Sequence, residues 1–269
     1  MDPRQACLAC LAQDPPALFE AALWIAAEHE PQLPPEQAQR LFDSLAHQVA
    51  VALPSGTGDA ERAQVLLRRM SELGFAEDDQ YPLRPRAALL PQVLQWRHGQ
   101  PLSLALIALE LARRNDITLV GVNFPGRFLL RVPSANHLLD PATGRRLYTR
   151  DCRDLLARSL GPNAELTAAH LATASAADML QRLSRNLREL HLAAGEPLAA
   201  LKDAQRVLEL GPPSASDHLA RAELYHTLDC PQAERYDLER ALLLSNDAAE
   251  QLRLAQRLGN ISVLSKALH

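Results

Sequence analysis

The chain has 269 residues, 47% of them hydrophobic and 22% charged, and a formal net charge of −4. Those values fit one large or two ordinary soluble globular domains and lack the concentrated basic face of a nucleic-acid binder. No uncharged apolar run approaches the roughly 18 residues of a membrane span, and no basic stretch leads into an apolar one at the start. A cytoplasmic protein is expected, with neither nucleic acid nor membrane as partner.

Proline punctuates the first 80 residues into helices. Asp14-Pro15-Pro16 closes the first, Ala17 to Glu30 forms the second, and Pro34-Pro35 opens a third toward Val51. A loop at 54–59 (PSGTGD) follows. Glu61 to Gly74 is a further amphipathic helix with Val65, Leu66, Met70 and Leu73 on one stripe. The four cysteines do not make a disulfide framework in a chain of this size. Cys7 and Cys10 form a C-x-x-C, but in a helical context with no second ligand pair, so they read as small apolar residues of a helix face. No metal and no cofactor is expected.

From Leu102 to Ala112 the chain is apolar on nearly every side, which predicts a buried helix. Three short strands follow at Thr118–Val122, Phe128–Val132 and His137–Leu139. Turns at Pro125-Gly126, Pro133-Ser134 and Pro141 to Gly144 bound them. Helices followed by a small antiparallel sheet make an α+β class over 1–160. The Ala- and Thr-rich stretch 161–177 reads as a connection. From 178 to 269 the chain reads as all helix with a 34-residue period: Pro197 falls on Pro231, Asp203 on Asp237 and Leu210 on Leu244. This is the tetratricopeptide period, two antiparallel helices per repeat. Two repeats are short of the ~3 usually needed, so they are expected to lean on the first domain or on a capping helix at Asp247–Leu258.

The run RHGQPLSLALIALELARR, then ITLVGVNFPGRFLLRV, then HLLDPATGRRL resembles the core of transglutaminase-like and papain-like domains. There a Cys begins the helix, a His lies on the following strand pair and an Asp on the next. The positions that match here are Ser103, Arg127 and Asp140. With AALWIAAEHEPQL and SRNLRELHLAAGEPLAALKDAQRVLEL, the resemblance extends over almost the whole chain to the bacterial SirB-type family. It implies a transglutaminase-like N-terminal domain followed by tetratricopeptide repeats.

The resemblance also implies a degenerate triad. A guanidinium stays protonated and cannot accept a proton, so Arg127 removes general-base help worth ~10²–10⁴-fold. His98, His137 and Cys152 are weaker replacements. His137 differs from Asp140 by an odd number along a strand and should face the other way. Asp140, before a proline, suits a turn as well as an ion pair with Arg127. In the helical half, Arg182, Arg185 and Arg188 stand at i, i+3 and i+6 beside a leucine stripe, a candidate edge for an acidic peptide. The expectation is a pseudoenzyme acting as a protein- or peptide-binding regulatory protein. Its rivals are a Ser103-dependent hydrolase or acyltransferase, and a module in which Arg127 binds a small anion.

Overall fold

The computed structural model describes residues 2–261, so the end of the expected 178–269 array, 262–269, lies outside the described residues. The chain divides into two compact units between Leu183 and Ser184. The first is α+β. It opens with α1 (Pro3–Leu11), α2 (Leu18–His29), α3 (Pro35–Ala50) and α4 (Asp59–Glu72). A parallel pair, β1 (Ala76–Glu77) on β2 (His98–Gly99), then brackets α5 (Leu90–Trp96) and leads into α6 (Pro101–Arg114). Proline sits in the first turn of α1, α3, α5 and α6, where its missing N–H would have had no helical partner.

An all-apolar helix must be covered on every side, and α6 is. It packs on α2, α3, α4 and α5 and on β1 and β2. Leu104, Ile107 and Leu111 are wholly buried. The helix expected from Leu102 to Ala112 is therefore the axis of this unit's core.

An antiparallel sheet lies against it: β3 (Val120–Val122), β4 (Leu129–Arg131), β5 (Leu138–Leu139) and β6 (Arg146–Leu147), in that order. Gly121 sits where an added Cβ would meet the Phe128 ring at 2.6 Å and the Met179 sulfur at 2.9 Å, so the close packing there requires glycine. After β6, α7 (Thr149–Leu160) buries Cys152 and Leu156 against Val122, Phe124, Leu129, Leu138 and Leu147. Segment 161–177, expected as a connection, is bound to the sheet. Ala174 N–H donates to the Gly121 carbonyl at 2.9 Å, and Thr173 bridges Val122. The boundary between units accordingly falls later, inside α8 (Ala176–Ala193).

The second unit holds the end of α8, then α9 (Pro197–Leu210), α10 (Ala215–Thr227), α11 (Pro231–Leu244) and α12 (Ala248–Asn260). The 34-residue offset read from the sequence is present in the backbone: α9 and α11 start and stop 34 residues apart (231 − 197 and 244 − 210). So do the turns. Gly195 and Asp229 both take left-handed conformations, at φ 75° and 53°. Glu196 N–H returns to the His191 carbonyl as Cys230 N–H does to that of Tyr225. Each is a left-handed helix cap with a proline opening the next helix. Leu254 of α12 closes a cluster with Ala222, Leu238 and Ala241, so α12 packs on α11. Among the described residues no helix is long and apolar enough to cross a membrane.

The repeat also buries carboxylates. Asp203 faces His191 Nδ1 at 2.7 Å and Arg206 Nη1 at 2.6 Å. Its 34-residue mate Asp237 accepts from His218 Nδ1 at 2.8 Å and from Arg221 Nε at 2.7 Å. Asp217, at the start of α10, accepts from Arg185 Nε at 2.8 Å and Ser214 Oγ at 2.7 Å. Burial raises its pKa, but the Arg185 and Ser214 hydrogen bonds outweigh it and bring it from 3.8 down to about 2. A depressed folded-state pKa gives stability that is complete above the unfolded value and is lost as pH falls through about 4 toward 2. The expected acid-limb contribution is on the order of 2 kcal/mol. Denaturant titrations from pH 5 to 2 check it: Asp217→Asn should flatten that limb, and a limb parallel to wild type would refute the assignment.

Candidate functional site

Ser103 lies in the first turn of α6 with 0% exposure, and its hydroxyl donates to the Ala88 carbonyl at 3.4 Å. The approach to α6 is tight. A Cβ on Gly99 would come within 2.8 Å of Val93 and 3.2 Å of the Ala87 carbonyl. The β1–β2 register places Glu77 opposite Gly99, at the mouth of this turn.

Arg127 follows the Pro125-Gly126 turn, immediately before Phe128 and β4, and Asp140 directly follows β5. Arg127 Nε donates to Asp140 Oδ2 at 2.9 Å, and its Nη2 lies 2.8 Å from the same oxygen. The outer edge of the guanidinium reaches Glu77, with Nη2 to Oε2 at 2.7 Å and Nη1 to Oε1 at 3.3 Å. Burial disfavours the cation. The hydrogen bonds to Glu77 and the pull of Asp140 outweigh that and push the Arg127 pKa above the ordinary arginine value. This group holds its proton at every working pH.

Asp140 has both roles that the sequence allowed. Its Oδ2 takes the guanidinium, while Oδ1 accepts the backbone N–H groups of Ala142 at 2.9 Å and Thr143 at 3.1 Å. The carboxylate is thus the pin of the Asp140–Gly144 turn as well as half of an ion pair. Glu77 is the residue that the sequence reading missed. A two-residue parallel strand has no periodicity to betray it, and nothing local marks the glutamate as a partner fifty positions ahead of Arg127.

The other candidate residues point elsewhere. His98 Nδ1 lies 2.9 Å from the Trp96 carbonyl in an exposed position. His137 Nδ1 lies 3.4 Å from Asn136 Oδ1, and its ring lies 5.7 Å from that of Tyr148. Burial, then the neighbouring Arg146, lowers its pKa. Burial, then Asp151, raises that of Cys152. Cys7 and Cys10 are both buried on α1, and burial with nearby Glu20 pushes Cys10 up to about 11. The Cys10 and Cys152 thiols stay protonated at neutral pH and are poor nucleophiles.

The three arginines of α8 do not present one common edge. Arg182 bonds the Asn123 side chain and the Phe124 carbonyl (2.9 Å) and lies over the Phe128 ring. Arg185 grips Asp217 with two hydrogen bonds, and Arg188 reaches its neighbour Glu189. Spacing at i, i+3 and i+6 aligns Cα positions. It does not say which acceptors stand within reach of each guanidinium.

A helix carrying the nucleophile position, followed by strand ends carrying the base and acid positions, is the arrangement of one fold class. The sequence model of the transglutaminase-like superfamily matches residues 36–185, and the chain belongs to that superfamily. Its relatives narrow this to the SirB-type family. UPF0162 protein PA3419 of Pseudomonas aeruginosa is 72% identical over 100% of both chains. A UPF0162 protein of Xylella fastidiosa is 32% identical, over 84% of this chain and 83% of its own. Protein SirB1 of Salmonella typhimurium is 27% identical, over 67% of this chain and 68% of its own.

Proposed function

We propose that this protein is a cytoplasmic interaction protein: a transglutaminase-like unit without catalytic chemistry, carried with a short tetratricopeptide array and acting by binding a protein partner. The observation that carries the reading is the Arg127 clamp. A permanently protonated guanidinium, held between Asp140 and Glu77, stands where the resemblance puts a proton-accepting imidazole. Without that base, nucleophile activation and leaving-group protonation both lack an agent. Two further facts support it. The Ser103 hydroxyl is enclosed and tied to a carbonyl, which counts against a serine hydrolase. Both edges of Arg127 are committed to carboxylates, which counts against a free anion site there. The tetratricopeptide reading rests on the repeated 34-residue helix pair and its repeated caps.

The test uses the full chain. Amine incorporation into a glutamine substrate and hydrolysis of a fluorogenic peptide should stay at the buffer rate for wild type and Ser103→Ala alike. Affinity capture at native abundance should recover the same partner with both. Turnover by wild type that disappears in Ser103→Ala would sink the reading.

A further inference from the structure

The turn pinned by Asp140 does something beyond holding Arg127. Gly144, at φ 67°, lies flat on α4. A Cβ there would stand 3.1 Å from Leu67 Cβ and 3.3 Å from Arg68 N, and Gln64 Nε2 bonds the Gly144 carbonyl at 3.4 Å. This close approach sets Arg145 and Arg146, which follow the glycine, beside Arg68 of α4. The result is a solvent-open bowl of about 680 Å³ lined by Gln64, Arg68, Thr143, Arg145, Arg146 and Tyr148. No acidic residue lines it. Asp151 of α7 bonds Arg145 from one side. Arg68 and Arg146 are exposed and make no ion pair or side-chain hydrogen bond with any described residue. Tyr148, 47% exposed, offers a ring on the same rim.

Three guanidiniums line one bowl, and among the described residues only Arg145 has a carboxylate partner, Asp151; on a chain of net charge −4 they are not the by-product of a basic composition. We propose that this bowl receives an acidic segment of a protein partner, with Asp or Glu carboxylates on Arg68 and Arg146 and an apolar side chain on Tyr148. Guanidinium forks match carboxylates in bidentate geometry. The open, shallow form suits an extended peptide better than an enclosed small molecule. A nucleic-acid strand would call for a basic track along several phosphates, whereas this bowl offers three arginines around one hollow. The inference deepens the partner-binding reading and rests on it for the existence of a partner. It replaces the arginines of α8 as the acid-recognising surface.

The experiment is fluorescence anisotropy on the full chain with a short fluorescein-labelled Glu/Asp-rich peptide carrying one leucine. The controls are a lysine-rich peptide of equal length and a short oligothymidylate. The acidic peptide should bind saturably and weaken as salt rises. Arg68→Glu with Arg146→Glu should lower affinity at least about tenfold. Arg40→Glu with Arg84→Glu, an equal charge change at two exposed arginines outside the bowl, should leave it within about twofold. Circular dichroism melts confirm that both pairs fold, and Arg68→Gln with Arg146→Gln serves if the reversal does not. No acidic-peptide binding, equal weakening by the two pairs, or tighter binding of the oligothymidylate overturns the proposal. Partner capture that survives the Arg68/Arg146 changes would remove the bowl and leave the interaction reading intact. Turnover that depends on Ser103 would do the reverse.

Discussion

Asp237→Ala should destabilise the C-terminal unit by about 3–5 kcal/mol, the usual cost of removing one side of a buried ion pair. Asp237 is 0% exposed and faces two partners, His218 and the guanidinium of Arg221, through three hydrogen bonds. Burial pulls the Arg221 pKa down, but its bonds to Asp237 outweigh that and hold it above the ordinary value. Without the carboxylate, the guanidinium must stay charged in a poorly solvated place or drag water between α10 and α11. Asp237→Asn keeps the shape and an acceptor oxygen, so it should cost less than alanine. Thermal melts and limited trypsin digestion of the full chain measure the effect. A melting temperature within about 1 °C of wild type for Asp237→Ala would refute it, since even 1 kcal/mol moves the midpoint of such a domain by several degrees.

Asp140→Ala should have the next largest effect, about 2–4 kcal/mol. It removes two backbone hydrogen bonds in a buried turn and a charge-assisted pair at once. Arg127→Ala should cost less, about 1–2 kcal/mol, because Asp140 keeps its Ala142 and Thr143 donors and Glu77 can turn to water. Glu77 has 43% of its side chain exposed against 11% for Asp140, so Glu77→Ala should cost least. Urea titrations of the three variants give the order directly. Arg127→Ala matching or exceeding Asp140→Ala would mean that the ion pair, and not the turn, dominates.

Much of this fold was legible in the sequence because its signals are dense. The Leu102–Ala112 run could only be buried, Pro-Gly turns bracketed the strands, and the 34-residue offset carried over into identical helix ends and caps. What escaped lacks a local signature. The β1–β2 pair is two residues long, and β6 is no longer. Helix α7 is the exception, since Cys152, Leu155, Leu156 and Leu160 stand at helical spacing. At the site, the register predicted the Arg127–Asp140 contact. Glu77 and the Arg68 edge of the bowl come from segments joined only by tertiary packing. The acid-lined fate of Arg185 was equally hidden, since its partner Asp217 lies 32 residues away.

The divided duty of Asp140 bears on what position 127 can tolerate. Its two oxygens are already assigned, one to the guanidinium and one to the turn. An imidazole at position 127 would offer Oδ2 a single N–H and would fall short of Glu77, releasing that carboxylate from its partner. The enclosed Ser103 would gain nothing from the exchange. Arg127→His alone is therefore expected to lower stability. Glu77, Arg127 and Asp140 form one unit, in which a change at any member leaves a charge on another without its partner.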